Sequence, residues 1–274
     1  MRAVCTLCFH RCALEEGQTG LCRARANRGG QVVSLNYGRL TSLALDPIEK
    51  KPLRRFHPGS RVLSAGSFGC NLRCPFCQNH EISMAGEERE TVFLSPAELA
   101  ARGEALRGQG CVGLAYTYNE PLVGYEYVLD CARLARERGL LNVLVTNGTA
   151  EEAPWKALLP WIDAVNIDLK GFRRDWYRRL GGDLECVKRS IILAASACHL
   201  EVTTLLVPGE NDGEEEIRDL ARWLASVNPD IPLHLSRFFP RYRLTDRPPT
   251  PVETVYRLAE VAGESLRYVY TGNC

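Results

Sequence analysis

From residue 61 onward one pattern repeats, a short apolar run followed by a longer stretch of helical periodicity, and it constrains the fold more than any other feature. The apolar runs are RVLSAGSF at 61–68, CVGLAYTY at 111–118, LLNVLVTNG at 140–148, DAVNIDLKG at 163–171, HLEVTTLLVPG at 199–209, PLHLSRF at 232–238 and RYVYTG at 267–272. Between them, helices are expected over 95–108, 121–139, 151–160, 183–198, 213–227 and 251–265. Ser95 followed by Pro96 is a start signal, because serine caps free backbone N–H groups and proline suits the first helical position. Repeated strand–helix units predict a parallel sheet with helices outside. Short apolar strands suit burial on both faces. Six such units predict an α/β protein with a partial (βα)6 TIM-like barrel, open on one side. The barrel would occupy 61–274, residues 31–60 would connect, and QVVSLNYG and TSLALDP within the connector read as short strands. The chain of 274 residues is long enough for one barrel and a small appendage.

Parallel barrels place ligand-binding residues at the C-terminal ends of their strands. That rule selects Asn119, Glu120 and Pro121, then Asn147 and Gly148, then Asp168 and Lys170. It also selects Pro208, Gly209, Asn211 and Asp212, and finally Arg237, Phe238 and Phe239. Each alone is an ordinary turn former or helix cap. Together, at five successive strand ends, they form a binding rim holding both donors and acceptors.

The loop after the first barrel strand reads GCNLRCPFCQN, with Cys70, Cys74 and Cys77 in the spacing Cys-x3-Cys-x2-Cys. Three thiolates in one loop can wrap a single inorganic cluster, and cysteine is the usual ligand of a 4Fe-4S cube. Three ligands for four irons leave one iron open to a second molecule. A structural zinc site wants four ligands in paired spacings, which this is not. Disulfides are disfavoured by crowding in one loop and by the lack of a secretory signal.

A second group, Cys5, Cys8, Cys12 and Cys22, lies within residues 1–30. Four ligands in eighteen residues can close a coordination shell, as zinc or as an auxiliary iron–sulfur cluster. A segment this short buries no core of its own, so a metal would order it. Cys111, Cys131, Cys186 and Cys198 sit singly in apolar patterns and read as small buried hydrophobes.

A net charge of +1 does not call for a nucleic-acid or acidic-membrane partner. The basic runs RRFHPGSR and FRRDWYRR read as solvated faces. No apolar stretch is long enough for a membrane span. Twelve cysteines without a signal peptide point to a reducing, cytoplasmic setting and to metal chemistry.

The cysteine loop, with aromatic Phe76 before the last cysteine, resembles the signature of the radical SAM enzymes. From Ser67 to about Pro251 the chain is similar to the activating enzymes of glycyl radical enzymes, such as pyruvate formate-lyase activating enzyme. Tyr118-Asn119-Glu120-Pro121 stands where that group carries Gly-Gly-Glu-Pro, with both glycines replaced. Thr146-Asn147-Gly148, Asp168-Leu169-Lys170 and Val207-Pro208-Gly209 match its later cofactor-contacting segments. More narrowly, the chain resembles the AmmeMemoRadiSam system radical SAM enzymes. The matching motifs are CTLCFHRCALEEGQTGLC, DPIEKKPLRRFHPGS, GSFGCNLRCPFCQN, AYTYNEP, NIDLKG and HLSRFFPRYRLTDRPPTP.

The resemblance implies a radical SAM barrel with a small N-terminal cysteine-rich metal-binding segment. It implies that Cys70, Cys74 and Cys77 hold a 4Fe-4S cluster whose open iron chelates S-adenosylmethionine. Reductive cleavage there would yield a 5'-deoxyadenosyl radical for hydrogen abstraction from a substrate the motifs do not name. Phe76, Asn119, Glu120, Asn147, Asp168 and Lys170 would position that cofactor. A flavodoxin- or ferredoxin-type electron donor is implied, as are Memo-like and AMMECR-like partners. Two alternatives stand beside this reading: activation of a glycyl radical enzyme, and a non-catalytic metalloprotein that binds a partner.

Overall fold

The computed structural model describes residues 1–274 and is built on one eight-stranded sheet. Seven strands run parallel in chain order: Arg61–Gly66, Cys111–Tyr116, Leu141–Thr146, Ala164–Asp168, His199–Leu206, Leu233–Arg237 and Val269–Gly272. The eighth, Ser42–Pro47, pairs antiparallel with Arg61–Gly66 and forms one edge, while Val269–Gly272 forms the other. The two edge strands do not pair, so the sheet is an open barrel of six strand–helix units followed by a seventh parallel strand. The TSLALDP stretch is thus part of the main sheet, and QVVSLNYG contributes Gln31–Ser34 to a small hairpin with Arg25–Arg28.

Strand centres such as Leu114, Leu144, Val165, Val202 and Leu235 are fully buried because helices cover the outer face. The covering helices are Pro96–Ala105, Tyr125–Glu137, Glu152–Leu158, Leu184–Ala195, Glu214–Val227 and Val252–Gly263. Ser95 caps the first of these through a reciprocal pair with Glu98, as the Ser-Pro signal predicts.

Two local differences from the sequence reading matter for the site. The expected helix over 121–139 opens as a tight 3-10 turn, Pro121–Gly124, before the α-helix starts at Tyr125. The cause is local: the Glu120 carboxylate accepts from Leu122 N, and Gly124 abuts Asn36, whose Oδ1 would lie 2.5 Å from an added Cβ. The basic run at 172–179 contains a six-residue helix, Arg174–Arg179, that buries Trp176 and Tyr177 below the barrel rim. Six residues are too few for helical periodicity to register. Cys111, Cys131 and Cys186 are buried as expected, and Cys198 is half-buried.

A candidate metal and cofactor site at the barrel mouth

The strand Arg61–Gly66 runs directly into the loop bearing Cys70, Cys74 and Cys77, so the three cysteines arrive at the C-terminal ends of the parallel strands. They line a cavity of about 280 Å³ together with Phe76, Asn119, Glu120, Asn147, Asp168 and Lys170. The loop residues and five of the rim residues therefore meet in one place, whereas Pro121, Gly148, Pro208, Gly209, Asn211, Asp212, Arg237, Phe238 and Phe239, also expected at the rim, do not line the cavity. The cavity is also lined by Thr203, Leu205, Ser236 and Asn273, which the sequence reading did not select. Strand alternation carried a signal for the first two, since residues two apart face the same side.

Glu120 is buried, and its carboxylate accepts from Leu122 N at 2.9 Å, Thr146 Oγ1 at 2.7 Å and Asn147 N at 2.8 Å. Burial pushes its carboxyl up to about 7 despite these three donors. A cationic group entering the cavity would therefore find an acceptor whose desolvation it relieves. Lys170 Nζ lies 2.8 Å from Asp168 Oδ2. Burial works to lower the lysine, but the Asp168 carboxylate outweighs it, so Lys170 stays protonated. Its backbone is fixed as well: its N–H donates to the Tyr177 hydroxyl, and its carbonyl accepts from Trp176 Nε1 and Asn211 Nδ2.

Asn119 lines the cavity but spends its side chain on the cysteine loop. Its Oδ1 accepts from Ser67 N, and its Nδ2 donates to the carbonyls of Phe68 and Gly69. Asn147 donates to Asn71 Oδ1 at 3.0 Å and sits 3.6 Å from Cys70 Sγ. Phe76 is buried and stacks on Trp176, with ring centroids 5.9 Å apart.

Tyr118 takes a left-handed conformation, φ 74°, where the similar motif has glycine. Its ring occupies space that only glycine at position 66 leaves open, because a Cβ there would lie 2.7 Å from Tyr118 Cδ2.

Burial raises the Cys70 thiol well above its ordinary value and that of Cys74 to about 11. Thiols held protonated in this way ionise when a cation coordinates them. No three His, Cys, Asp or Glu side chains converge closely enough for a single metal ion. The three thiols line one cavity, and their donor set is that of an iron–sulfur cluster.

In the N-terminal segment Cys5, Cys8 and Cys22 are buried and Cys12 is half-buried. They lie within electrostatic reach of one another: Cys5 and Cys12 act on Cys8, and Cys8 and Cys5 act on Cys22. This segment contains the antiparallel pair Ala3–Val4 with Ala13–Leu14.

The family model for the radical SAM superfamily matches residues 66–224. The uncharacterized protein MJ0808 of Methanocaldococcus jannaschii is 41% identical over 274 residues, covering 98% of this chain and 80% of the relative. The putative glycyl-radical enzyme activating enzyme MJ1227 of the same organism is 30% identical over 167 residues, covering 57% of this chain and 65% of the relative. Among solved structures, a domain of pyruvate-formate lyase-activating enzyme from Bacteroides vulgatus superposes with a TM-score of 0.51 at 20% identity, covering 59% of this chain and 99% of that domain. The likeness is one of fold: a parallel sheet with helices outside. No helix is long and apolar enough to cross a membrane.

Proposed function

This chain belongs to the radical SAM superfamily, and from that membership we propose that it cleaves S-adenosylmethionine reductively and uses the product to abstract hydrogen from a substrate. The observation that carries the reading is the convergence of Cys70, Cys74 and Cys77 with Glu120, Asp168 and Lys170 around one cavity. Cys70, Cys74 and Cys77 would hold a 4Fe-4S cluster, which would supply the electron for cleavage of the sulfonium. The chain's own residues bind and orient. Glu120 would take the cofactor's ammonium, Lys170 its carboxylate, and Asp168 would accept from hydroxyls. Phe76 covers an aromatic face. Asn119 holds the cysteine loop rather than the cofactor, and Asn147 bridges that loop to Glu120. Radical abstraction requires no general base.

The ordered motifs from CTLCFHRC to HLSRFFPRYRLTDRPPTP support a place in an AmmeMemoRadiSam-type system, with Memo-like and AMMECR-like partners, in the cytoplasm. Cys5, Cys8, Cys12 and Cys22 hold a second metal group, zinc or iron–sulfur. A flavodoxin- or ferredoxin-type protein provides the electron. In support, exposed Arg73, Arg178, Arg241 and Arg243 have no carboxylate partner and sit around the cysteine loop. Arg73 N donates to Leu180 O and Arg243 N to Pro75 O, both at 2.8 Å. A second reading, activation of a glycyl radical enzyme, is favoured by the similarity to MJ1227.

The test is anaerobic reconstitution with iron and sulfide, then assay of 5'-deoxyadenosine formed from S-adenosylmethionine and dithionite. The parent protein should form it, and Cys74→Ala should not while keeping its circular dichroism spectrum. Equal turnover in the two proteins would refute the reading.

A further inference from the structure

The four N-terminal cysteines are built onto the loop that carries the other three. Gly69, next to Cys70, has φ 91°, and a Cβ there would lie 2.5 Å from the Cys22 carbonyl oxygen and 2.8 Å from Ala24 Cβ. Only glycine lets the two backbones approach this closely. Phe68 shares an apolar cluster with Cys5, Leu7 and Cys22. On the other side, Cys8 forms a backbone bridge with Ala150, three residues beyond Asn147.

Asn71, between Cys70 and Cys74, joins the two cysteine sets. His10 Nε2 donates to its carbonyl at 2.8 Å, and its side chain lies near the Cys8 thiol. Its Oδ1 accepts from Asn147 Nδ2, which also lies 3.6 Å from Cys70 Sγ. Asn71 and Asn147 thus stand between the N-terminal cysteines and Cys70. Asn71 Nδ2 donates to Thr149 Oγ1 at 2.7 Å, so the linking side chain has a fixed orientation.

The placement against the other loop bears on which metal the N-terminal set holds, since an iron–sulfur cluster there would exchange electrons with a neighbouring centre and zinc, which has no redox chemistry, would not.

We propose that Cys5, Cys8, Cys12 and Cys22 ligate an iron–sulfur cluster in electronic contact with the catalytic cluster through Asn71 and Asn147. The proposal rests on the reading of Cys70, Cys74 and Cys77 as the catalytic cluster's ligands. The chain then holds two one-electron centres side by side. An electron from a low-potential flavin or iron–sulfur protein that reaches one cluster passes to the other. The first returns to its oxidised state as the second is reduced, with no bond or proton change.

The experiment is metal analysis and electron paramagnetic resonance on the reconstituted full chain, reduced with dithionite, with and without S-adenosylmethionine. The parent should hold about eight irons, two cubes, and no zinc. Its reduced spectrum should be broadened by spin coupling between neighbouring clusters. Cys5→Ser/Cys22→Ser should lose about half the iron and show a sharp, uncoupled signal that S-adenosylmethionine still shifts. Cys12→Ser, at the half-exposed position, gives the same comparison if the double variant folds poorly. Asn71→Ala should keep the iron and weaken the coupling. About four irons with one zinc in the parent would overturn the proposal, as would two magnetically isolated clusters. Failure of the underlying reading looks different: S-adenosylmethionine would then leave every spectrum unchanged although the iron count still halves in the double variant. The contact with a catalytic cluster falls with it.

Discussion

The Tyr118 hydroxyl donates to Asp46 Oδ2 at 2.5 Å, and the same oxygen accepts from Lys51 Nζ at 2.8 Å. Lys51 is buried, and its ammonium lies 4.7 Å from the centroid of the Tyr118 ring. Burial works to raise the Asp46 carboxyl, but Lys51 and Tyr118 outweigh it and hold it well below the usual carboxylate range. This clamp ties the edge strand to the residue that holds a left-handed conformation at the cavity wall, a strain of roughly 1–2 kcal/mol.

Removing the carboxylate charge should therefore cost more than removing the hydroxyl. Asp46→Asn leaves a buried ammonium without its counter-charge, a loss of about 3–5 kcal/mol. Tyr118→Phe keeps the ion pair and costs roughly 1 kcal/mol. Denaturant midpoints of the two proteins decide it; equal midpoints would mean that the ion pair does not carry the clamp.

Glu120→Gln should weaken S-adenosylmethionine binding by about tenfold to a hundredfold, or roughly 1–3 kcal/mol. The amide carries no charge for an ammonium, and its NH2 group faces donors already aimed at the site, Leu122 N, Thr146 Oγ1 and Asn147 N. Equilibrium dialysis against the cluster-loaded protein measures the affinity, with iron content as the control. An unchanged affinity at unchanged iron would remove Glu120 from the binding set.

The barrel and its mouth were legible because both follow from local pattern. Apolar runs such as CVGLAYTY can bury both faces, and parallel strands deliver their following residues to one end, so Glu120, Asn147 and Lys170 were selectable by position alone. The division of labour among them was not. Nothing in the sequence says that Asn119 turns toward Phe68 and Gly69, because those partners lie about fifty residues away. The role of Asp46 and Lys51 was hidden for the same reason, since they reach Tyr118 only once the edge strand has paired antiparallel. The helix Arg174–Arg179 was missed because six residues give too short a periodic signal.

If the four exposed arginines around the cysteine loop steer the proposed electron donor, electron delivery should be salt-dependent. Arg73→Glu/Arg243→Glu should slow reduction of the cluster by an acidic bacterial ferredoxin about tenfold at low ionic strength, through lost steering. The difference should shrink toward 1 M salt, where screening acts over about 3 Å. Reduction by dithionite should be unaffected, which separates docking from damage to the cluster. Stopped-flow bleaching of the cluster absorbance reads both rates, and equal ferredoxin rates in parent and variant would rule out this face.

At the opposite end of the strands, Glu201 is fully buried and ties residues 54–55 to the barrel floor. Its carboxylate accepts from Arg54 N at 3.0 Å, Arg55 N at 2.8 Å, His199 Nε2 at 2.9 Å and His234 Nε2 at 2.5 Å. Burial works to raise the carboxyl, but the two histidines and the two backbone donors win and set it at about 2, against an ordinary 4.5. The folded value lies below the unfolded one, so the stabilisation is complete above pH 4.5 and drains away as pH falls toward 2. A shift of this size corresponds to about 3 kcal/mol. Glu201→Gln should lower the denaturant midpoint at neutral pH, and its deficit against the parent should shrink steadily between about pH 5 and pH 2. Two stability curves that stay parallel over that range would mean that the Glu201 charge contributes nothing to holding the connector on the barrel.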